Sequence, residues 1–322
     1  MIILAIESSC DETSVAIVED GKKVYSNEIF SQIDIHTLYG GVVPEIASRN
    51  HIKKITYIID DALKKANIKQ SDIDYIAVTS TPGLVGSLMV GVNAAKVISY
   101  CYNLPICYVN HIHGHIYANY IENDFTFPVL ALVVSGGHTE LVLMKDHFEF
   151  EILGQTLDDA VGEAYDKIAR VVGVGYPGGP IIDKMAKSGK PVYPLPHVHL
   201  GKNSYDFSFS GLKSAVINLH HKYVQNNEEI NKYDLAASFQ DAVVDVLCEK
   251  TIRAAKEFNV KQIVLAGGVA ANSGLRTKMT EEVEKLDGVT FSYPSMKYCT
   301  DNAAMIAACA YFQVQKESIW QK

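Results

Sequence analysis

Two stretches of the chain repeat one pattern of apolar runs broken by polar turns. In the first, Ile2–Glu7 and Thr13–Glu19 are apolar strands around the turn Ser8-Ser9-Cys10-Asp11-Glu12; Asp20-Gly21 then signals a tight hairpin, and Lys23–Phe30 supplies a third strand. In the second, Val129–Val134 and Glu140–Met144 flank Ser135-Gly136-Gly137-His138-Thr139, followed by a polar turn near Asp146 and a third strand at Phe148–Leu153. After a gap, each stretch continues with a helical segment and one more buried strand, Tyr75–Thr79 in the first half and Gln262–Leu265 in the second. A duplication in βββαβ order predicts an α/β fold of two similar lobes facing each other across an interlobe cleft. The polar turns are expected to face that cleft, where ligands of α/β sheets collect at strand ends.

Helical periodicity marks two further segments. Pro44–Lys65 carries Ile46, Ile52, Ile55 and Ile59 on one side and Arg49, Lys53 and Lys54 on another. Leu157–Val172 carries Asp159, Glu163, Asp166 and Arg170 along one side, with Glu163–Lys167 and Asp166–Arg170 at the four-residue spacing of surface ion pairs.

Composition narrows the class. A chain of 322 residues, 48% hydrophobic and 20% charged, can bury a large core, and at roughly 150 residues per domain it reads as two domains. The apolar runs Ile2–Ile6 and Val129–Val134 fall far short of the roughly 20 residues of a membrane span, and no basic-then-apolar leader opens the sequence, so a cytoplasmic protein is expected. The six cysteines form no Cys-x-x-Cys, which argues against a zinc ribbon or a disulfide framework. A net charge of -8 repels phosphate on average, so a nucleic-acid partner requires a local basic patch, with Arg49, Lys53 and Lys54 as one candidate, or a second protein.

The candidate chemistry begins at His111-Ile112-His113-Gly114-His115. On a helix, His111 and His115 share a face and His113 does not, and with the distant Asp301 they supply two imidazoles and a carboxylate for one metal ion, leaving positions open. Ile112 stands where a zinc peptidase has its glutamate base. Ser135-Gly136-Gly137 lets backbone N–H groups approach a phosphate, or forms an ordinary hairpin. Asp11-Glu12 in the equivalent first turn is either linked to a cation or simply an acidic turn in solvent. The run Val264–Ser273 is a strand entering a glycine pair and a helix start, where Asn272 either meets a base or ribose or caps the helix. Tyr176-Pro177-Gly178-Gly179-Pro180 leads into a helix bearing Asp183, which either accepts ribose hydroxyls or simply favours the helix dipole. Ser210-Gly211-Leu212-Lys213-Ser214 lacks the full spacing of a phosphate loop.

Taken in order, Ile6–Thr13, Tyr39–Glu45, Thr81–Leu88, Asn110–His115, Ser135–Thr139, Tyr176–Pro180, Ala266–Asn272 and Thr300–Ala303 resemble the tRNA N6-adenosine threonylcarbamoyltransferase (TsaD) family over essentially the whole chain. The resemblance implies the two-lobed fold of the actin, sugar-kinase and Hsp70 superfamily. Residues 1–124 would form the first lobe, with 300–322 packing back on it, and 125–299 the second. It implies transfer of a threonylcarbamoyl group from threonylcarbamoyl-adenylate to N6 of the adenosine following the anticodon, in tRNAs reading codons that begin with A, with release of AMP. The carried-over metal ligands are His111, His115 and Asp301, for one iron, or zinc. The carried-over adenylate contacts are Val134, Ser135, Gly136, Gly137, His138, Asp166, Gly179, Asp183 and Asn272. A bacterial member works with a shorter homologous subunit (TsaB) and a small P-loop ATPase (TsaE), and not at a membrane. No general base follows from the residues; His138 and Asp11 are candidates. The alternatives are a phosphotransferase of the same fold, against which the carboxylates of Asp11 and Glu12 argue, and a non-catalytic nucleotide-binding module, which has no use for the two histidines with Asp301.

Overall fold

Asp20 and Gly21 both take positive φ, 51° and 71°, and the Lys22 N–H donates to the Glu19 carbonyl at 3.1 Å, closing the first hairpin where the sequence signals it. This hairpin joins β2 (Glu12–Glu19) to β3 (Lys23–Ser31), and β2 lies antiparallel to β1 (Ile2–Glu7). Then follow α1 (Ile33–Thr37), α2 (Pro44–Ala66), β4 (Tyr75–Thr81), α3 (Val85–Tyr102), β5 (Ile106–Asn110) and α4 (His111–Tyr117). β4 runs parallel to β1 and β5 parallel to β4, giving the order β3-β2-β1-β4-β5. The computed structural model describes residues 1–198, 200–201 and 203–320.

The second sheet repeats this plan. β6 (Val129–Val134), β7 (Thr139–Met144) and β8 (Phe150–Gln155) are an antiparallel meander; then come α5 (Val161–Val172), α6 (Gly178–Ala186), α7 (Ser210–Gln225) and α8 (Lys232–Glu257). β9 (Gln262–Ala266) lies parallel to β6, and α9 (Ser273–Val283) leads to β10 (Thr290–Ser292), giving β10-β9-β6-β7-β8. The chain ends with α10 (Met296–Cys299) and α11 (Ala303–Trp320). Two compact units result: Met1–Phe125 with Pro294–Lys322, and Thr126–Tyr293. Residues 321 and 322, at the end of the expected returning segment, lie outside the described residues.

In the first unit the central strand β1 is covered on both faces. Leu4 and Ile6 join Val15, Ile17, Ile76 and Val78 in a core with Ile55 and Ala62 of α2 and Ala95 of α3. α11 packs against β1, β2, β4 and β5, and Ala303 to Ala310 are all fully buried; a helix apolar all round is one that the core encloses. In the second unit, Leu130, Leu132 and Val134 pack with Val161, Tyr165 and Ile168 of α5 and with α8.

Several elements depart from the sequence reading. The strands β5 and β10 were not expected: β5 has five residues, and the three of β10, Thr-Phe-Ser, are too few to show alternation. β8 begins at Phe150, not Phe148, because Phe148 sits at φ 57° in the preceding turn. α5 begins at Val161, not Leu157; Asp158 is held outside it, accepting the N–H groups of Phe209 and Ser210 at the start of α7. The run Ser210–Ser214 is therefore a helix start, and Lys213 pairs with Asp159. α2 buries Ala47, His51, Ile55, Ala62 and Ala66, whereas Ile52 is 64% exposed and does not belong to the apolar face.

Candidate metal centre and nucleotide site

β5 runs directly into α4, and Asn110 sets the junction: its side-chain oxygen accepts the N–H groups of Ile112 at 2.8 Å and His113 at 3.2 Å. His111 and His115 therefore stand one turn apart on one face. His113 points elsewhere, and burial pushes its imidazole down to about 4. Asn302 likewise caps α11, accepting the Met305 N–H at 3.1 Å, which leaves Asp301 just ahead of the helix. Gly114 lies on the α4 face toward α11; a Cβ there would sit 2.7 Å from Ile306 Cδ1, so the two helices approach through the glycine between the histidines.

These caps bring the predicted ligands together. His115 Nε2 is 3.1 Å and His111 Nε2 3.6 Å from Asp301 Oδ1, and one ligand atom from each of the three lies within 4.8 Å of the others. Two ligands of one ion, each about 2.0–2.1 Å from it at a near-tetrahedral angle, are separated by about 3.3 Å, so this spacing suits a shared ion. His115 supplies the sharper test. It is 1% exposed, and among the described residues neither ring nitrogen has a hydrogen-bond partner, although Nε2 is in contact with the Asp301 carboxylate. A contact of that length without hydrogen-bond direction suits two ligands of the same ion, and coordination satisfies a buried nitrogen that otherwise costs about 1–3 kcal/mol. His111 differs: its Nδ1 lies 3.1 Å from Glu7 Oε2 and 3.2 Å from Ser9 Oγ. Burial alone would lower its pKa, but the carboxylates of Asp301 and Glu7 outweigh burial and raise it to about 9.

The Asp11-Glu12 turn is not an acidic turn in solvent. Asp11 is buried, and Glu12 is half-buried with its carboxyl pushed well above the usual range by burial and then by the Asp11 charge. His51 holds this turn through Cys10 O at 2.9 Å and Thr13 Oγ1 at 2.7 Å.

The nucleotide candidates gather around the carboxyl ends of the parallel strands β6 and β9. Ser135 to His138 close a tight turn, with Ser135 N–H donating to His138 O at 2.8 Å and His138 N–H to Ser135 Oγ at 3.0 Å. Glycines here fall into two kinds. A Cβ on Gly162 would meet Ser135 O at 2.6 Å, on Gly178 Tyr165 O at 2.6 Å and on Gly267 Val134 O at 2.4 Å, so these three permit close packing. Among the described residues, Gly136, Gly137, Gly179 and Gly268 have no atom within 4 Å of such a Cβ, and none takes a positive φ. Neither packing nor backbone conformation requires glycine at those four, which leaves access for a group from outside the chain.

The polar side chains nearby are partly engaged. Asp166 accepts the Gly178 N–H at 2.6 Å; burial raises its pKa, and that bond and the charge of Arg170 oppose the rise. Asp183 on α6 accepts from Ser273 Oγ at 2.8 Å, Ser273 N–H at 3.2 Å and Gln240 Nε2 at 3.1 Å. Asn272 caps α9, accepting the Leu275 N–H at 2.9 Å, while its amide donates to Gln240 Oε1 at 2.8 Å and Tyr165 Oη at 3.3 Å. Asn272 is thus a helix cap, and its amide donors hold a buried network beside Asp183.

Comparison with known proteins gives the site its context. The profile of the family "TsaD: tRNA N6-adenosine threonylcarbamoyltransferase" matches residues 23–308. The chain belongs to this family. A tRNA N6-adenosine threonylcarbamoyltransferase of Bacillus subtilis (strain 168) is 58% identical over 316 residues, covering 98% of this chain and 91% of the relative; that of Geobacillus thermodenitrificans (strain NG80-2) is 53% identical over 320 residues, covering 98% and 94%. Among solved structures, HypF of T. kodakarensis matches 98% of this chain and 48% of its own with a TM-score of 0.66 at 14% identity. Component A of the (R)-2-hydroxyglutaryl-CoA dehydratase of Acidaminococcus fermentans matches 98% and 99% with a TM-score of 0.56 at 15% identity. At such identities the likeness is one of fold alone; it is membership in the TsaD family that gives the chain the two-lobed α/β fold of the actin, Hsp70 and sugar-kinase superfamily. Membership in the TsaD family makes the chain an acyltransferase and sets aside the phosphotransferase and the non-catalytic module. Among the described residues, no helix is long and apolar enough to cross a membrane.

The sequence reading missed Glu7, Gln240, Ser273 and Gly114 as residues that build these sites. Glu7 could have been noticed as a charge closing an otherwise apolar strand. Gln240 carries no such mark inside α8. Arg49 pairs with Glu45 on the exposed face of α2, and Lys54 lies over the Phe30 ring, so the candidate basic patch is partly neutralised.

Proposed function

We propose that this chain transfers the threonylcarbamoyl group from threonylcarbamoyl-adenylate to N6 of the adenosine following the anticodon, in tRNAs reading codons that begin with A. The observation that carries the reading is the convergence of His111, His115 and Asp301 within 4.8 Å in a chain of this family. Two imidazoles and a carboxylate suit one divalent ion with open positions, iron on the family's precedent and zinc by donor type. When bound, such an ion supplies Lewis acidity toward substrate oxygen.

The chain's own residues do the rest. Within the run Val134 to His138, whose Ser135 and His138 N–H groups close the turn, Gly136 and Gly137 offer their backbone N–H groups to the adenylate phosphate and leave room for it. Gly179 opens the start of α6, and Asp166 holds that start through the Gly178 N–H. Asp183 accepts from the ribose hydroxyls. Asn272 supports Asp183 through Gln240 rather than by meeting the base with free amide groups. In the reaction the N6 lone pair attacks the carbamoyl carbon, the bond from that carbon to the phosphate oxygen breaks, AMP leaves with the bonding electrons, and one N6 proton passes to solvent. The nucleophile is a weak aromatic amine, so orientation and stabilisation of charge on the leaving group dominate. The partners are tRNA and, since the relatives compared are bacterial, a shorter homologous subunit (TsaB) and a small P-loop ATPase (TsaE). With a net charge of -8, the isolated chain binds tRNA weakly and its partners complete the surface.

The test is nucleoside mass spectrometry of unmodified tRNA after incubation with the chain, both partners, threonine, bicarbonate and ATP together with the enzyme that forms the adenylate. Threonylcarbamoyladenosine appears with the wild-type chain and fails to appear when it is omitted; equal product without the chain refutes the assignment.

A further inference from the structure

We infer that Glu7 is a positioning residue of the metal centre, fixing the ring proton of His111 on Nδ1 so that Nε2 is the nitrogen offered to the ion. The inference rests on the metal reading above and adds a residue to it. Glu7 ends the apolar strand β1 and is fully buried. A charge in that position needs partners, and each carboxylate oxygen has one apart from the histidine. Ser9 N–H donates to Oε1 at 2.5 Å, and the Thr79 hydroxyl donates to Oε2 at 2.5 Å. The Ser9 backbone is itself clamped: Leu84 N–H donates to its carbonyl at 2.7 Å, and a Cβ on Gly83 would meet that oxygen at 2.7 Å.

The carboxylate so held reaches His111 Nδ1 at 3.1 Å from Oε2. An ionised carboxylate only accepts, so the proton of that contact belongs to Nδ1. Ser9 Oγ, 3.2 Å from the same nitrogen, is the competing acceptor, and the charged oxygen is the stronger one. A histidine that ligates a metal is neutral and carries a single ring proton. With that proton on Nδ1, the lone pair is on Nε2, the atom that faces Asp301 at 3.6 Å. This is the carboxylate–histidine–metal arrangement by which an outer partner orients a ligand ring and raises its basicity. Among the described residues His115 has no such partner, since neither of its nitrogens is hydrogen-bonded. The two histidines are therefore unequal ligands, one oriented by a fixed anion and the other by packing.

The experiment uses the full chain, stripped of metal, with Zn2+ as the ion. Zinc affinity is measured by competition with a chromophoric chelator for wild type, Glu7→Gln and His115→Ala, with circular dichroism confirming the fold. Glu7→Gln keeps the shape and removes the charge, and it is expected to weaken zinc binding by about 10–100-fold. His115→Ala tests the metal centre itself: wild-type affinity in that variant refutes the centre, whereas its loss together with undiminished affinity in folded Glu7→Gln refutes only the role of Glu7. A second readout needs no Glu7 variant. In zinc-loaded wild-type protein carrying 15N-histidine, the His111 ring proton is expected on Nδ1, and a proton on Nε2 overturns the inference whether or not Glu7→Gln folds.

Discussion

The first turn of each unit occupies the same place in the same strand order, between the first and second strands of its meander, yet the two are built in opposite ways. In the first unit the turn from Ser8 to Glu12 is dense. Its serines are pressed by glycines from elsewhere, Gly83 against Ser9 and Gly91 against Ser8 Oγ, and its carboxylates are buried or half-buried. In the second unit the turn carries its own glycines, and Gly136 and Gly137 are exposed with open space where a side chain would be. The contrast separates two kinds of site. A dense turn of side chains can orient ligands for a metal ion, because buried carboxylates and imidazoles fix one another. An open turn of backbone can take a phosphate, because N–H groups are available and nothing blocks the approach.

This comparison breaks if glycines of the two kinds respond alike to substitution. The largest effect is expected at Gly178→Ala, whose new methyl meets backbone oxygen of Tyr165 at 2.6 Å; a loss of about 1–3 kcal/mol in denaturant unfolding is the overpacking cost. Gly179→Ala next to it meets nothing and is expected to stay within about 0.5 kcal/mol of wild type in the same assay. Gly137→Val sharpens the point by reporting on ligand: unchanged melting temperature, with affinity for a non-hydrolysable threonylcarbamoyl-adenylate analogue down at least about tenfold by calorimetry, or about 1.4 kcal/mol. Unchanged affinity in the folded variant would place the ligand elsewhere. The smallest effect belongs to Arg49→Glu, which breaks an exposed pair with Glu45 and changes stability by about 1 kcal/mol or less. In a salt titration it is also expected to reduce tRNA binding by the partnered assembly slightly, and tight binding by the isolated chain, indifferent to the substitution, would contradict the need for a partner.

How much of this was legible in the sequence follows from what each feature depends on. The duplicated meanders and their turns were readable because apolar runs and Asp-Gly or Gly-Gly turns are local signals; β6 runs over Val129–Val134 as expected. The metal ligands were readable for a mixed reason. His111 and His115 share a face by local geometry, but Asp301 is nearly two hundred residues away and its arrival depends on Asn302 capping a helix that the core encloses. Asp166 shows the limit: the i to i+4 spacing relates it only to Arg170, and tertiary structure adds a backbone N–H of Gly178, twelve residues on, that no local pattern announces. Whether a glycine serves packing or access is invisible in the string Tyr-Pro-Gly-Gly-Pro, where Gly178 and Gly179 differ only in what surrounds them. Gln240 was out of reach for the same reason, since it matters through Asp183 and Asn272, each distant in sequence.

The most direct test of the central claim is the metal content of His111→Ala. Protein purified with iron supplied, or reconstituted with it anaerobically, is analysed for metal per chain beside wild type. The account predicts one ion per wild-type chain and none held stoichiometrically by the variant, with circular dichroism unchanged, because three protein ligands leave little redundancy. Full occupancy in folded His111→Ala would contradict it.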